Sequence, residues 1–103
     1  MKNIFEGLPK NLGEEVFEIL ARSETVKIER IISKGHTSPK IGWYDPESSE
    51  WVIVLKGEAI LLFEDNEAVR LTEGSYINIP PHKKHRVDWT DPNSETIWLA
   101  VHY

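Results

Sequence analysis

The chain has 103 residues, of which 40% are hydrophobic and 28% charged, which is typical of one folded domain. Its formal charge of −5 argues against a nucleic-acid partner, because backbone binding needs an extended basic surface and the one basic cluster is 82–86. The absence of cysteine excludes disulfides, zinc–thiolate sites and thiol nucleophiles. The longest apolar run, 51–55, is too short to span a bilayer, and residues 1–10 lack a secretory apolar region. We therefore expect a cytoplasmic protein without nucleic-acid or membrane partners.

One short amphipathic helix is predicted near the N-terminus. The apolar residues of 12–22 recur at spacings of three and four, which would place them on one helical face: Leu12, Val16, Ile19 and Leu20. Residues 1–23 are therefore predicted to form a helical segment that packs on the rest of the domain, residues 24–103.

From residue 24 onward, short apolar and β-branched segments alternate with turn residues, which is typical of β-strands. Eight strands are predicted, at about 24–33, 41–44, 50–56, 58–64, 67–71, 75–79, 84–90 and 95–102. Helical crossovers are missing between them, so antiparallel pairing is expected. The predicted fold class is mainly β, a sandwich or barrel with the one N-terminal helix.

Two of the predicted strands are apolar on both faces. In 50–56, Trp51 and Ile53 share one face while Val52 lies on the other, and 95–102 repeats the pattern. A small barrel needs only one apolar face for its interior, so something must cover the second. The N-terminal segment could cover part of it, and a second copy of the chain is the other candidate. A homodimer is the expectation we adopt.

Two short motifs follow one another between residues 50 and 85. The stretch 50–57, EWVIVLKG, contains a glutamate and a glycine separated by six residues. The stretch 74–85, GSYINIPPHKKH, contains a glycine, then a proline after five residues, then a histidine five positions further on. In this order and spacing they resemble the second half of the first cupin motif and most of the second. The resemblance covers about residues 25–102 and implies an antiparallel jelly-roll barrel with an internal pocket open at one end.

The metal-binding positions of the cupin pattern are altered here. A metal-binding cupin has two histidines shortly before the glutamate, and that stretch, 43–46, reads WYDP. The resemblance leaves Glu50 and His85, with Asp45 as a third donor and His82 as a weaker candidate for a fourth. Such a set would suit a divalent transition metal: Mn, Fe, Co, Ni or Zn. Glu50 could instead pair with His85 as an internal polar contact, or lie at the solvated mouth, and then no cofactor is needed.

A ligand pocket inside the barrel is also predicted. If Glu50 and His85 face the interior, alternation along their strands brings neighbouring side chains there as well. Aromatic rings just before Glu50 could stack on a flat or sugar-like ligand, although core and interface packing is the alternative for the tryptophans. The predicted lining consists of Trp43, Tyr44, Val52, Val54, His85 and Trp89.

Three functions are compatible with these residues. The first is a small cupin-domain protein that binds a small ligand in the barrel pocket. The second, by analogy with the family, is a metal-dependent enzyme of the oxygenase or isomerase type that uses Asp45, Glu50 and His85. The third is a barrel that serves only as a dimerising module. The sequence does not identify a substrate.

Overall fold

The structure, a computed structural model, describes residues 2–39 and 41–103. Within these residues eight strands form two antiparallel sheets, a larger one of order β1-β2-β8-β3-β6 and a smaller one of order β5-β4-β7. The strands are β1 Val16–Arg22, β2 Lys27–Ser33, β3 Glu50–Lys56, β4 Ala59–Phe63, β5 Ala68–Leu71, β6 Tyr76–Ile79, β7 His85–Thr90 and β8 Thr96–His102. The predicted class, mainly β with antiparallel pairing, is confirmed. Seven of the predicted strands are present, with ends that differ by three residues or fewer.

The segment predicted to be helical is a strand, so that prediction is wrong. Residues 16–22 pair with β2 through a turn in which the Ser23 N–H donates to the Val26 carbonyl at 2.8 Å. The apolar spacing fits either element, because Phe17 and Ile19 also alternate with Glu18. Strand pairing decides between the two, because a strand at 16–22 forms hydrogen bonds with backbone groups of β2 that a helix would leave unpaired. The described part of the chain contains no α-helix.

No helix among the described residues is long and apolar enough to cross a membrane.

The strand predicted at 41–44 is reduced to a single bridge. The Tyr44 N–H donates to the His85 carbonyl at 2.9 Å, and the Tyr44 carbonyl accepts from the His85 N–H at 3.1 Å. This bridge holds Tyr44 beside the first residue of β7. Because side chains alternate along an extended chain, Trp43 and Asp45 point to the opposite side.

Inward-facing side chains fill one part of the space between the sheets. On β3, Val52 and Val54 face inward, opposite Ala100 and Trp98 of β8. The buried core consists of Val52, Val54, Ala59, Leu61, Phe63, Leu71, Ile79, Trp98 and Ala100. The outward-facing apolar residues of β3 remain half-buried: Trp51, Ile53 and Leu55.

Arg30, on the outer face of β2, holds the N-terminal segment against the larger sheet. Arg30 is buried, with 5% of its surface exposed. Nη1 donates to the carbonyls of Ile4 at 3.0 Å and Glu6 at 2.7 Å, and Nη2 donates to both carboxylate oxygens of Glu18 at 2.9 Å. The residues before β1 are therefore positioned by one charged side chain rather than by helical packing.

We expect the Arg30→Ala substitution to lower the free energy of unfolding by about 1.5–3 kcal/mol, the usual contribution of hydrogen bonds to a charged group. Urea unfolding followed by circular dichroism measures the change. Lys34→Ala, at an exposed position just after β2, is the matched control and should stay within about 0.5 kcal/mol of wild type. If Arg30→Ala is as stable as the control, the contacts of Arg30 do not stabilise the fold.

Candidate functional site

Part of the space between the sheets is unfilled and forms a cavity of about 610 Å³. This volume is in the range of small-molecule binding sites. Its apolar wall is made by Phe17, Ile31, Val52, Leu61, Val87 and Trp98. Its polar and charged lining consists of Glu15, Lys27, Glu29, Ser38, Tyr44, Glu50, His85, Arg86 and His102.

Three of the polar side chains meet on three adjacent strands. Glu29 of β2 and Glu50 of β3 lie on either side of His102 of β8. The Nε2–H of His102 donates to Glu29 Oε1 at 2.7 Å, and Nδ1 lies 3.5 Å from Glu50 Oε2. Each of these side chains is at most 14% exposed. We call Glu29, Glu50 and His102 the acid–imidazole cluster.

Glu50 is the least well paired member of the cluster. None of the other described residues donates a hydrogen bond to its carboxylate, and the contact with His102 is long at 3.5 Å. Burial raises the pKa of Glu50 above its ordinary value of 4.5, and the nearby His102 and His85 offset this only in part. Glu50 therefore brings a desolvated carboxyl group, with unused acceptor capacity, to the cavity wall.

His85, at the start of β7, is oriented by a hydrogen bond to the backbone. Its Nδ1 lies 2.8 Å from the Lys83 carbonyl oxygen, and because a carbonyl can only accept, Nδ1 carries the proton. In the neutral ring Nε2 is then an acceptor, and no donor to it is found among the described residues. The ring packs edge-on against Tyr44, with centroids 5.3 Å apart, and beside Phe63 at 5.8 Å.

Tyr44 supplies a hydrogen-bond donor to the same cavity. Burial, followed by the negative charges of Glu50 and Glu29, raises the pKa of Tyr44 above its ordinary value of 10.0. The phenol therefore remains protonated at neutral pH, and its O–H can donate to a ligand.

Four of the sequence-predicted site residues line the cavity together: Tyr44, Glu50, Val52 and His85. Val54 faces the same interior but lies in the filled part, fully buried opposite Trp98. The cavity therefore lies only beside the N-terminal end of β3, which begins at Glu50.

Trp43 and Trp89 lie outside the cavity lining, which differs from the expectation. The β4–β7 pairing passes directly from Val87 to Trp89, so Asp88 is an extra residue in a bulge. The bulge reverses the alternation of side chains along β7. Val87 therefore faces inward, whereas Trp89 faces outward. Trp43 points away from the cavity because of its position next to Tyr44, and its ring lies 5.0 Å from the Arg86 guanidinium.

Of the three metal donors implied by the family resemblance, Glu50 and His85 line the cavity, and Asp45 does not join them. Asp45 instead contacts His82, with Oδ1 2.9 Å from Nδ1 on the surface. In residues 2–39 and 41–103, no group of three or more His, Asp or Glu side chains is arranged to hold a metal ion. The set Asp45, Glu50 and His85 therefore does not fit a transition-metal site.

Several cavity residues are not among those predicted from the sequence, notably Phe17, Glu29 and His102. The inward position of Glu29 has a signal in the sequence, because Glu29 alternates with Arg30 in step with Ile31 and is a charged residue among apolar ones. Its meeting with His102 follows from the strand order β2-β8-β3, which the sequence does not display.

The comparisons with known proteins identify the family. The family model described as "Cupin domain" matches residues 30–102. The chain belongs to the cupin family. The resemblance carried by its two motifs is thereby confirmed. No curated protein matches this cupin in sequence.

Solved cupins share the architecture over most of the chain. A candidate mannose-6-phosphate isomerase from Ralstonia eutropha JMP134 is 41% identical, with a TM-score of 0.94 over 99% of this chain and 95% of that one. A cupin superfamily protein from Desulfitobacterium hafniense DCB-2 is 18% identical, with a TM-score of 0.75 over 92% and 82%. An RmlC-like cupin with a double-stranded β-helix fold from Methanocaldococcus jannaschii is 24% identical, with a TM-score of 0.71 over 92% and 84%. The last two comparisons show the fold alone.

At neutral pH we expect Glu50→Gln to be more stable than wild type. A raised pKa means that the folded protein holds the Glu50 proton more tightly than the unfolded chain does. Below the ordinary pKa of 4.5, this proton stabilises the fold. The stabilisation is lost as the pH rises through the raised pKa of Glu50 in the folded protein. A glutamine at this position carries no ionisable proton, so the stability of the variant does not fall in this way. Urea unfolding at about pH 4 and about pH 7 measures the difference, which should be larger at the higher pH.

Glu67→Gln, at an exposed hairpin position, is the control for this experiment and should follow wild type at both pH values. A Glu50→Gln variant less stable than wild type at pH 7 would contradict the desolvation of Glu50.

Proposed function

We propose that this cupin binds a small organic ligand that carries hydroxyl groups on one side and an apolar surface on the other. The observation that carries the proposal is that two acceptors in one cavity, the Glu50 carboxylate and His85 Nε2, receive no hydrogen bond from the other described residues. The Tyr44 phenol adds a donor beside them. A hydroxyl group both donates and accepts, so it matches this set.

The energetics favour a ligand that donates hydrogen bonds to these acceptors. A buried acceptor without a partner costs about 1–3 kcal/mol, and a ligand hydroxyl would remove that cost. A cationic ligand fits less well, because Lys27 and Arg86 already line the cavity and the Lys27 charge acts on Glu50. Because Glu15, Glu29 and Glu50 line the same cavity, a neutral hydroxylated compound is the better match, and a phosphate group on it would have to lie beside Lys27 and Arg86.

The apolar wall complements the carbon skeleton of such a ligand. Ile31, Val52, Leu61 and Val87 face the space between the sheets and would bury C–H surface. Each Å² of apolar area removed from water contributes about 25 cal/mol, so this wall adds affinity without adding polarity. Sugars combine hydroxyl groups with C–H faces and therefore fit both parts of the site.

The name of one relative supports the same ligand class. The Ralstonia eutropha protein is a candidate isomerase of mannose 6-phosphate, a phosphorylated sugar. We therefore place aldoses, ketoses and their phosphates first among the compounds to test on this cupin.

Thermal unfolding and tryptophan fluorescence, measured across that panel, test the proposal. A binder at a hundredfold excess over its Kd should raise the free energy of unfolding by about 2.7 kcal/mol. Trp98 lines the cavity, so its emission should change as well. Glu50→Leu and His85→Phe remove the acceptors at similar volume and should weaken binding by at least about tenfold each.

Trp89→Ala is the control, because Trp89 lies outside the cavity and its removal should leave binding unchanged. A panel that moves neither signal, or equal binding by Glu50→Leu and wild type, would contradict the proposed function.

The alternative, a metal-dependent cupin enzyme of the oxygenase or isomerase type, has weaker support. It would require Asp45 to leave His82 and join Glu50 and His85. We predict that protein purified without a histidine tag or chelators contains less than about a tenth of an equivalent of Mn, Fe, Co, Ni or Zn, also after dialysis against these ions. Elemental analysis measures this. One equivalent of metal that disappears in both Glu50→Leu and Asp45→Asn would favour the metal-dependent alternative.

A further inference from the structure

The cavity contains a primary amine that the proposed hydrogen bonding does not use. Lys27, the first residue of β2, lines the cavity, and it is the one lysine among the lining residues that the structure describes. None of the ion pairs in residues 2–39 and 41–103 includes it. Lys27 is half-buried. Its amino group is therefore available for reaction with a molecule in the cavity.

Strand pairing places Lys27 beside two groups that can exchange protons. Lys27 lies directly opposite His102 of β8, and His102 lies directly opposite Glu50 of β3. Residues in directly opposite positions have side chains on the same face, with Cβ atoms about 4.5–5.5 Å apart. The Lys27 charge also acts on Glu50 and lowers its pKa in part, in keeping with this proximity. An amine, an imidazole and a carboxyl group thus follow one another along the inner face of the larger sheet.

The other neighbours of Lys27 leave its amino group without a partner. On β1 the residue opposite Lys27 is Arg22, which is a cation and cannot pair with it. The next inward residue of β2 is Glu29, whose carboxylate is already bonded to His102 at 2.7 Å. Lys27 is therefore placed in the cavity wall without an ion pair that would explain it.

We propose that the Lys27 amine condenses with the carbonyl group of an open-chain sugar, or of another α-hydroxy aldehyde or ketone, to form an imine in the cavity. The Nζ lone pair attacks the carbonyl carbon, the carbonyl oxygen takes up a proton and the nitrogen loses one. The resulting hydroxyl group takes up a second proton and leaves as water, and a C=N bond remains. One amine and one carbonyl compound give one imine and one water, so no oxidant or reductant is needed.

The surroundings of Lys27 suit both steps of this condensation. The hydroxyl group can leave only after it is protonated, and positioned acids and bases beside the amine carry such protons. His102 and Glu50 are in that position, and the Tyr44 phenol in the same cavity can donate a hydrogen bond to the carbonyl oxygen. The apolar wall limits the access of water, which would hydrolyse the imine.

The choice of sugars as substrates rests on the proposed function. Their hydroxyl groups match Glu50 and His85, and their open-chain forms supply the carbonyl group. The condensation itself requires only a carbonyl group within reach of Lys27. A three-carbon ketone therefore tests it separately from the binding of larger sugars.

Reductive trapping with dihydroxyacetone and sodium cyanoborohydride tests the inference. The reagent transfers a hydride to the imine carbon and leaves a stable secondary amine, which peptide mass spectrometry locates. Lys27 should be labelled at least about tenfold faster than the exposed Lys10 and Lys34, because the cavity holds the carbonyl group beside it. Glycerol has no carbonyl group and should leave no label. Equal labelling of the three lysines, or no label on Lys27, would overturn the proposal.

Lys27→Arg keeps the positive charge but has no nucleophilic amine. This variant should lose the rapid labelling while its circular dichroism matches that of wild type. Lys34→Arg, at an exposed position just after β2, is the matched control and should be labelled at Lys27 as fast as wild type. Rapid labelling that persists in Lys27→Arg would assign the reaction to another group and contradict the role of Lys27.

The result is separable from that of the proposed function. Sugars that stabilise wild type and Lys27→Arg equally, without any trapped adduct on Lys27, would support the ligand site and refute the imine. Selective labelling of Lys27 by dihydroxyacetone, with no sugar that shifts thermal unfolding, would support the imine and refute the proposed ligand.

Discussion

Hydrogen bonds within the protein determine what the cavity presents to a ligand. The Lys83 carbonyl takes the Nδ1 proton of His85, and Glu29 takes the Nε2 proton of His102. These two contacts fix the imidazoles and leave Glu50 and His85 Nε2 without donors among the described residues. The cavity is otherwise largely apolar, so the desolvation that raises the pKa of Glu50 also makes a hydrogen-bonding ligand favourable there.

Strand geometry accounts for the position of each of these groups. The order β2-β8-β3 brings Glu29, His102 and Glu50 side by side on the inner face. The isolated bridge to His85 brings in Tyr44, and the same alternation directs Asp45 to the surface. A site that the family pattern associates with metal donors is thus built here from acids, imidazoles and a phenol. Under the proposed function, its chemistry is hydrogen bonding to a bound molecule.

Much of this could be predicted from the sequence, and the failures have identifiable causes. Turn residues and β-branched segments mark seven strands, and the two cupin motifs locate Glu50 and His85. The apolar spacing of β1 fits both a helix and a strand, and only the pairing with β2 decides between them. The outward position of Trp89 cannot be predicted from the sequence, because a one-residue bulge leaves no trace in the hydrophobic pattern. The part played by His102 depends on strand order, which a single sequence does not contain.

The tautomer of His85 tests the central claim most directly. Nitrogen-15 NMR of the neutral ring, recorded at alkaline pH, distinguishes a protonated from an unprotonated ring nitrogen. The structure requires the proton on Nδ1, bonded to the Lys83 carbonyl, and a free Nε2 whose resonance moves when a hydroxylated ligand binds. A neutral His85 with its proton on Nε2 would show that this side chain offers the cavity a donor instead of an acceptor, which contradicts the account.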